Sequence, residues 1–247
     1  MNNTSLEDVK EIVRIHFFNA KEFYEYLKLL EVINDYQAFF NLNENGLFYN
    51  QMDPAHISAL FIKFKGIYES IKECKFGIYL RDFIRIISNE DLKNSKLTLE
   101  IDIANKKVRI LTNTINLEGE LIDFNEENSI PEPMLIFDVE AEIDLRYLLN
   151  TIKNFDCIKI SIENDKLFIE GRNEMVKKKT FIPSKFSNFK NGTLAYYNTF
   201  YLKNFLKKVV KLKNIAKLKF SNNKPLNISL ETKIARIDYY LAPRVEE

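Results

Sequence analysis

The chain has 247 residues, 46% of them apolar and 29% charged, with a formal net charge of +1; this allows one large or two small cores beneath a polar surface. Cys74 and Cys157 are its two cysteines, which excludes a disulfide framework or a cysteine metal quartet and fits a reducing, intracellular setting. No apolar run approaches the roughly 18 residues of a membrane helix, and the start, Met1 to Asp8, lacks the basic and apolar regions of a signal peptide.

Charge is unevenly placed. Val176 to Lys224 holds 13 lysines and no Asp or Glu, which leaves residues 1–175 acidic. A basic block of this length suggests a polyanion partner. The alternative is a solvated lysine surface.

In chain order, residues 1–10 are polar and expected to fray. Ile12 to Phe18 alternates and predicts a half-buried strand, with His16 on its exposed face. Asn19 to Glu22 has the spacing of a capping box. Phe23, Tyr26, Leu27 and Leu30 then form the stripe of an amphipathic helix. Gln37 to Leu42 and Leu47 to Gln51 read as a hairpin about Glu44-Asn45-Gly46. Ile57 to Phe64 reads as a further strand. Leu80, Phe83, Ile84 and Ile87 predict a second helix, and Leu97 to Ile103 with Lys107 to Leu111 a second hairpin.

Glu118 to Pro133 is acidic, with prolines on either side of Glu132. Proline fixes its own φ and extends the residue before it. Leu121, Ile122, Phe124 and Ile130 make the stretch too apolar for a plain tether. It reads as an extended linker that lies on the protein and shows some apolar side chains to a partner; the alternative is an ordinary acidic loop.

Beyond this linker the pattern restarts. Leu145, Leu148, Leu149 and Ile152 each lie 122 positions after the first helix's stripe. Ile158 to Ile162 and Leu167 to Glu170 repeat a hairpin. Tyr201 to Lys207 mirrors Tyr79 to Arg85 at the same offset, with Leu202, Phe205, Leu206 and Val209 as its stripe. The chain therefore reads as two copies of one unit, 1–117 and 134–247, joined by 118–133. The expected fold class is α+β, each copy packing two helices on an antiparallel sheet.

If the copies are related by rotation, their helices share a face. Arg81, Arg85, Lys203, Lys207 and Lys211 would project from it about one helical turn apart. That spacing can track phosphates without reading bases; the alternative is a solvated helix face. Lys208, and on the other two helices Lys21, Lys28, Arg146 and Lys153, are further DNA-contact candidates. Catalytic motifs are missing: there is no Walker loop, Gly-x-Ser-x-Gly, Cys-x-x-Cys or His-Glu-x-x-His. Asp53 and His56 make a weak case for a metal.

Three segments carry a resemblance. Gln51-Met52-Asp53-Pro54-Ala55-His56-Ile57, the linker end Ser129-Ile130-Pro131-Glu132, and the tail Asp238 to Glu247 with its Tyr-Leu-Ala-Pro-Arg-Val-Glu run together resemble the proliferating cell nuclear antigen (PCNA) family of DNA sliding clamps. The resemblance covers the chain from about Ile12 and leans archaeal. It implies a trimeric, pseudo-sixfold ring, a homotrimer or a heterotrimer with related clamp subunits. Helices would line a hole for double-stranded DNA. A pocket under the linker would hold short peptide motifs of DNA polymerase, ligase and flap nuclease, and a clamp loader would be a further partner. Matched residue by residue, that pocket would use Met52, His56, Ile57, Ile130, Pro225, Ala242, Pro243 and Val245. Asn128 departs from the family's usual aliphatic residue. Val108 to Leu117 and Val176 to Pro183 would be the edges between subunits. The resemblance implies no enzyme activity, cofactor, metal or membrane partner, and a location beside the nucleoid in an archaeal cell or in the nucleus of a eukaryotic one. The alternatives are a non-ring DNA-binding module and a checkpoint-type clamp subunit.

Overall fold

The structure is a computed structural model that describes residues 12–69, 73–88, 95–124, 129–173 and 175–244. Residues 1–10, Asn128 and Val245 lie outside them.

The first half runs β1 (Ile12–Phe17), α1 (Ala20–Leu30), β2 (Gln37–Asn43), β3 (Gly46–Met52), β4 (Ser58–Phe64), β5 (Ile67–Glu69), β6 (Cys74–Tyr79), α2 (Leu80–Ile87), β7 (Leu97–Asp102), β8 (Lys107–Leu111) and β9 (Asn116–Glu120). The second half has the same order: β10 (Val139–Asp144), α3 (Leu145–Ile152), β11 (Cys157–Glu163), β12 (Lys166–Arg172), β13 (Lys177–Ile182), β14 (Ser184–Asn188), β15 (Leu194–Asn198), α4 (Thr199–Val209), β16 (Ile215–Phe220), β17 (Leu226–Glu231) and β18 (Ala235–Leu241).

Local chemistry explains these elements. Asn19, Asp144 and Asn198 cap α1, α3 and α4, their side-chain oxygens accepting the N–H of Glu22, Tyr147 and Phe200 at 2.9, 2.8 and 2.8 Å. The predicted helix stripes are buried apart from Ile84 and Leu149, which are partly buried. Hairpin turns use left-handed residues: Gly46 at φ 123°, Lys106 at 52°, Asn164 at 49° and Asp165 at 59°. The offset of 122 holds at the helix ends, from Leu30 to Ile152 and from Ile87 to Val209. The starts differ, because α1 and α4 have 11 residues and α2 and α3 have 8.

Each half packs its two helices on antiparallel sheet as expected, and one of the sheets runs through both halves. Among the described residues there are three antiparallel sheets, ordered β5-β1-β7-β8-β9, β13-β12-β11-β15 and β14-β10-β16-β17-β18-β4-β3-β2-β6. The third is shared by both halves through β18 and β4, which pair from Ala235 opposite Phe64 to Leu241 opposite Ser58. The pairing pattern is itself repeated. The strand order β5-β1-β7-β8-β9 reappears as β14-β10-β16-β17-β18, and β6-β2-β3-β4 as β15-β11-β12-β13. Strand β9 therefore corresponds to β18 and β13 to β4, yet β9 and β13 each end a sheet.

The helices lie side by side in the order α2, α1, α4, α3. Tyr26 of α1 packs edge-on against Phe64 of β4, and Phe205 of α4 stacks on Tyr239 of β18 with ring centroids 4.0 Å apart. One apolar core thus runs through both halves.

Two linker and edge expectations change. The expected boundary at residues 117/118 falls inside β9, whose Leu117 and Glu118 sit opposite Ile110 and Arg109. Of the expected edge Val108 to Leu117, β8 is interior, with β7 on one side and β9 on the other. Only β9 is an edge.

Candidate functional site

The outer face of the β4–β18 seam is apolar where the linker crosses it. Period-2 alternation points Leu60, Ile62 and Phe64 toward the helices and Ala59 and Phe61 outward. Ala59, Phe61 and Tyr240 form a small buried cluster that Ile130 and Phe137 cover in part. The Phe61 and Tyr240 rings meet edge to face at 5.5 Å. Burial, with Asp238 and Glu132 nearby, pushes the Tyr240 hydroxyl up to about 12.

The linker is held down at several points. Ile122 and Gly77 exchange backbone hydrogen bonds of 2.9 and 3.0 Å. A Cβ on Gly77 would stand 2.6 Å from both Ile122 and Phe39, so only glycine admits this approach. Phe124 packs edge-on against Phe39. Leu121, Ile122 and Phe124 are therefore partly buried against the protein. Farther on, Ile130 N–H donates to Asn50 O at 3.3 Å, and Arg236 reaches Glu132 at 3.1 Å. Burial, then the charge of Asp238, raises the Glu132 carboxyl above its usual range.

Between linker, tail and the β3–β4 turn lies an apolar cavity of about 480 Å³. Met52, His56, Ile57, Ile130, Pro225 and Ala242 line it, as the sequence reading places them. Pro243 is not among its walls, because the tail turns away so that Arg244 N–H donates to Tyr196 O at 2.8 Å. Val245 lies outside the described residues. The reading missed Phe61, Tyr240, Pro131, Pro133 and Leu135. A signal was present: β4 reads Ser-Ala-Leu-Phe-Ile before its first charge, and a strand apolar on both faces must be covered on both.

Asp53 shapes the turn at the cavity's mouth. Its carboxylate accepts the N–H groups of Ala55 at 2.9 Å and Ile57 at 3.1 Å, the N–H of Ser58, and the Ser58 hydroxyl at 2.9 Å. His56 takes a left-handed φ of 58° within this turn. Asp53 is thus committed to the backbone, and no cluster of metal ligands occurs among the described residues.

The helix face carries the other candidates, and they divide. Lys21, Arg81, Arg85, Arg146, Lys153, Lys207 and Lys211 are exposed. Arg81 pairs with Asp35, and Arg85 lies 3.4 Å from Asp82. Three others are engaged in the fold. Lys28 is 2.7 Å from Glu25 and lies over Tyr24. Lys203 donates to Phe155 O at 3.1 Å and Lys153 O at 3.5 Å, closing the C-terminal end of α3. Lys208 reaches Glu31 at 2.6 Å. So Arg81 and Lys203, matched in sequence, do different things: Arg81 pairs with Asp35, and Lys203 holds the chain as it leaves α3.

No family model matches the chain. Curated relatives span nearly all of it. A DNA polymerase sliding clamp of Nitrosopumilus maritimus is 24% identical over 225 residues, 85% of this chain and 90% of its own length. One of Methanococcus maripaludis is 22% identical over 247 residues, 92% and 97% of the two chains. Another, of Thermofilum pendens, is 25% identical over 262 residues, 95% and 100%. Among solved structures, PCNA of Entamoeba histolytica superposes with a TM-score of 0.85 at 19% identity, covering 94% of this chain and 99% of that one. The chain is similar to archaeal DNA polymerase sliding clamps over nearly its whole length and has the fold of PCNA. A second PCNA, from A. fulgidus, was solved with the C-terminal region of FEN-1 bound; its TM-score is 0.81 at 15% identity, covering 95% and 99%.

Proposed function

We propose that this chain is a processivity factor without chemistry of its own. Three copies close a ring around duplex DNA and tether replication and repair enzymes by raising their effective concentration at the template. The observation that carries the ring is the repeated pairing pattern. Inside the chain β18 joins β4; the corresponding strands β9 and β13 are left as edges. Unpaired edges invite pairing, and a head-to-tail joint that repeats the internal one can close a ring, which the resemblance to clamps sets at six domains. The clamp domains in this reading are 1–117 and 134–247, and the connection 118–133 finishes β9 before it crosses to the second domain.

The cavity under the linker suits a short aliphatic and aromatic plug of the kind that anchors peptide motifs. Its clients in this reading are DNA polymerase, ligase, a flap nuclease and a clamp loader, in the cytoplasm beside the nucleoid if the cell is archaeal. The cations of the helix layer meet phosphates without reading bases, as sliding requires. Light scattering and DNA retention test the reading. A trimer mass, with retention on closed circular duplex and loss after linearisation, is expected. A monomer at micromolar concentration that holds linear and circular DNA equally would replace the clamp with a stand-alone DNA-binding module.

A further inference from the structure

Helix α4 carries one side chain that its pattern does not explain. Leu202, Phe205, Leu206 and Val209 are buried, so the opposite face should be polar. Phe200 stands on that opposite face and is 62% exposed. Lys207 and Lys211 follow seven and eleven positions later, within roughly 20° of Phe200 around the helix axis. Both are exposed, and no Asp or Glu occurs from Val176 to Lys224. The ring is braced on one side. Phe200 N–H donates to the Asn198 side chain at 2.8 Å, and the ring meets Tyr201 at 87° with centroids 5.4 Å apart. Tyr201 in turn packs on the core. Lys203 donates to Lys153 O and Phe155 O, which sets the exposed Lys153 beside this end of α4. Helix α4 lies between α1 and α3, not at an end of the helix layer. The position 122 residues earlier is Ile78, buried in β6, so the feature occurs once per chain.

An aromatic ring bare to water among lysines suits single-stranded DNA. Its unpaired bases offer faces to stack on, and its backbone is a polyanion. In a duplex the base faces are already stacked on one another, and only phosphates meet such a helix. We propose that Phe200 is a stacking platform for an unpaired base, and that the stripe from Phe200 to Lys211 holds single-stranded DNA along α4. The inference rests on the clamp reading and deepens it. It adds unpaired DNA, as at a gap or a primer end, to the duplex that the cations meet through phosphates. From Phe200 the helix rises about 10 Å to Lys207 and about 16 Å to Lys211. A strand with one base resting on Phe200 thus lays its following phosphates over the two lysines. Stacking is indifferent to base identity, because every base has a π-face, so the platform does not fix the chain at one sequence.

The experiment measures binding of the full chain to a labelled oligothymidylate, and to a labelled duplex of the same length, by fluorescence anisotropy across a salt series. Phe200→Ala is expected to weaken oligothymidylate binding about tenfold, the scale of one lost stacking contact, and to leave duplex binding within about twofold. Its log–log salt slope should match that of the wild type, because no phosphate contact is removed. Lys207→Ala should weaken both ligands and flatten the single-strand slope by roughly 0.7. Phe200→Tyr keeps a ring and should bind oligothymidylate as the wild type does. Circular dichroism shows that each variant is folded, and light scattering that its assembly is unchanged. Equal oligothymidylate binding by wild type and Phe200→Ala overturns the platform. So does an equal loss on the duplex, and so does a changed assembly mass, which would give Phe200 to a protein contact. A wild-type chain that is not retained on closed circular duplex overturns the clamp reading instead, while the oligothymidylate comparison still decides the platform.

Discussion

Lys208 Nζ of α4 lies 2.6 Å from Glu31 Oε2 at the C-terminal end of α1, tying the two halves together above the β4–β18 seam. Both side chains are about one-third exposed or less, at 33% and 25%. A double-mutant cycle with Glu31→Ala and Lys208→Ala should give a coupling of about 0.5–1 kcal/mol in urea unfolding. Because Glu31 already balances Lys208, Lys208→Ala should change the salt dependence of DNA association less than Lys207→Ala does. Equal changes would place Lys208 among the residues that meet phosphates.

The exposed cations make a separate prediction. Reversing Arg85 and Lys207 to Glu should weaken DNA association similarly for every sequence. It should also flatten the log–log salt slope by roughly 0.9 for each phosphate that is no longer neutralised. The buried stripes of α2 and α4 are untouched, so folding, assembly and client binding should persist. Retention of a loaded ring on circular duplex at two salt concentrations is the measurement; an unchanged slope would remove these residues from the DNA path.

At the pocket, Ile130→Ala combined with truncation after Ala242 should lower client-peptide affinity by about 2–4 kcal/mol, the scale of a hot-spot loss. Calorimetry reads it directly. Assembly should be unaffected, because β9 and β13 lie on other sheets. Unchanged affinity would mean that peptides bind elsewhere.

Asp53→Ala strips three backbone N–H groups and a hydroxyl of their acceptor in a turn that is buried at Asp53 and Ser58 and exposed at its tip. The expected cost is about 2–3 kcal/mol of stability, with weaker client binding as the His56–Ile57 wall loosens. Chelators should leave the wild-type protein unchanged; a chelator effect would return Asp53 and His56 to consideration as ligands.

Acid stability should report on Glu140. A hydrogen bond from Lys217 is the chief reason that its carboxyl sits below the ordinary value of 4.5. A depressed carboxylate stabilises the fold above its ordinary value and loses that contribution as pH falls through the folded one. The difference between wild type and Glu140→Gln in urea midpoint should thus be full near neutrality and shrink as pH drops below 4.5. A difference constant with pH would show that the ion pair contributes nothing.

Much of this was legible in the residues. Each helix announced itself by an apolar stripe, and the hairpins by their turns, because both signals are local. The offset of 122 survived into the structure at the helix ends. What could not be read was which strands meet across the two halves. Phe64 and Ala235 are neighbours in one sheet and distant in sequence, and no periodicity encodes that pairing. Helix starts were ambiguous because an apolar stripe fixes a helix's inner face and not where the helix begins: α4 starts at Thr199, three residues before the position that matches Leu80. Six of the eight residues assigned from the resemblance are pocket walls, and the floor, Phe61 and Tyr240, was found by neither route. Proline at Ile182 would be a poor probe of assembly through β13, because Ile182 is fully buried.

The β18–β4 joint pairs seven positions within one continuous chain. Strand β9, its counterpart between copies, has only five residues and no peptide bond to its neighbour. In a closed ring the two kinds of seam alternate, and load would part the shorter one first. A circular DNA has no end to thread, so if three copies close a ring, loading would open it between β9 and β13 rather than at the continuous β18–β4 joint.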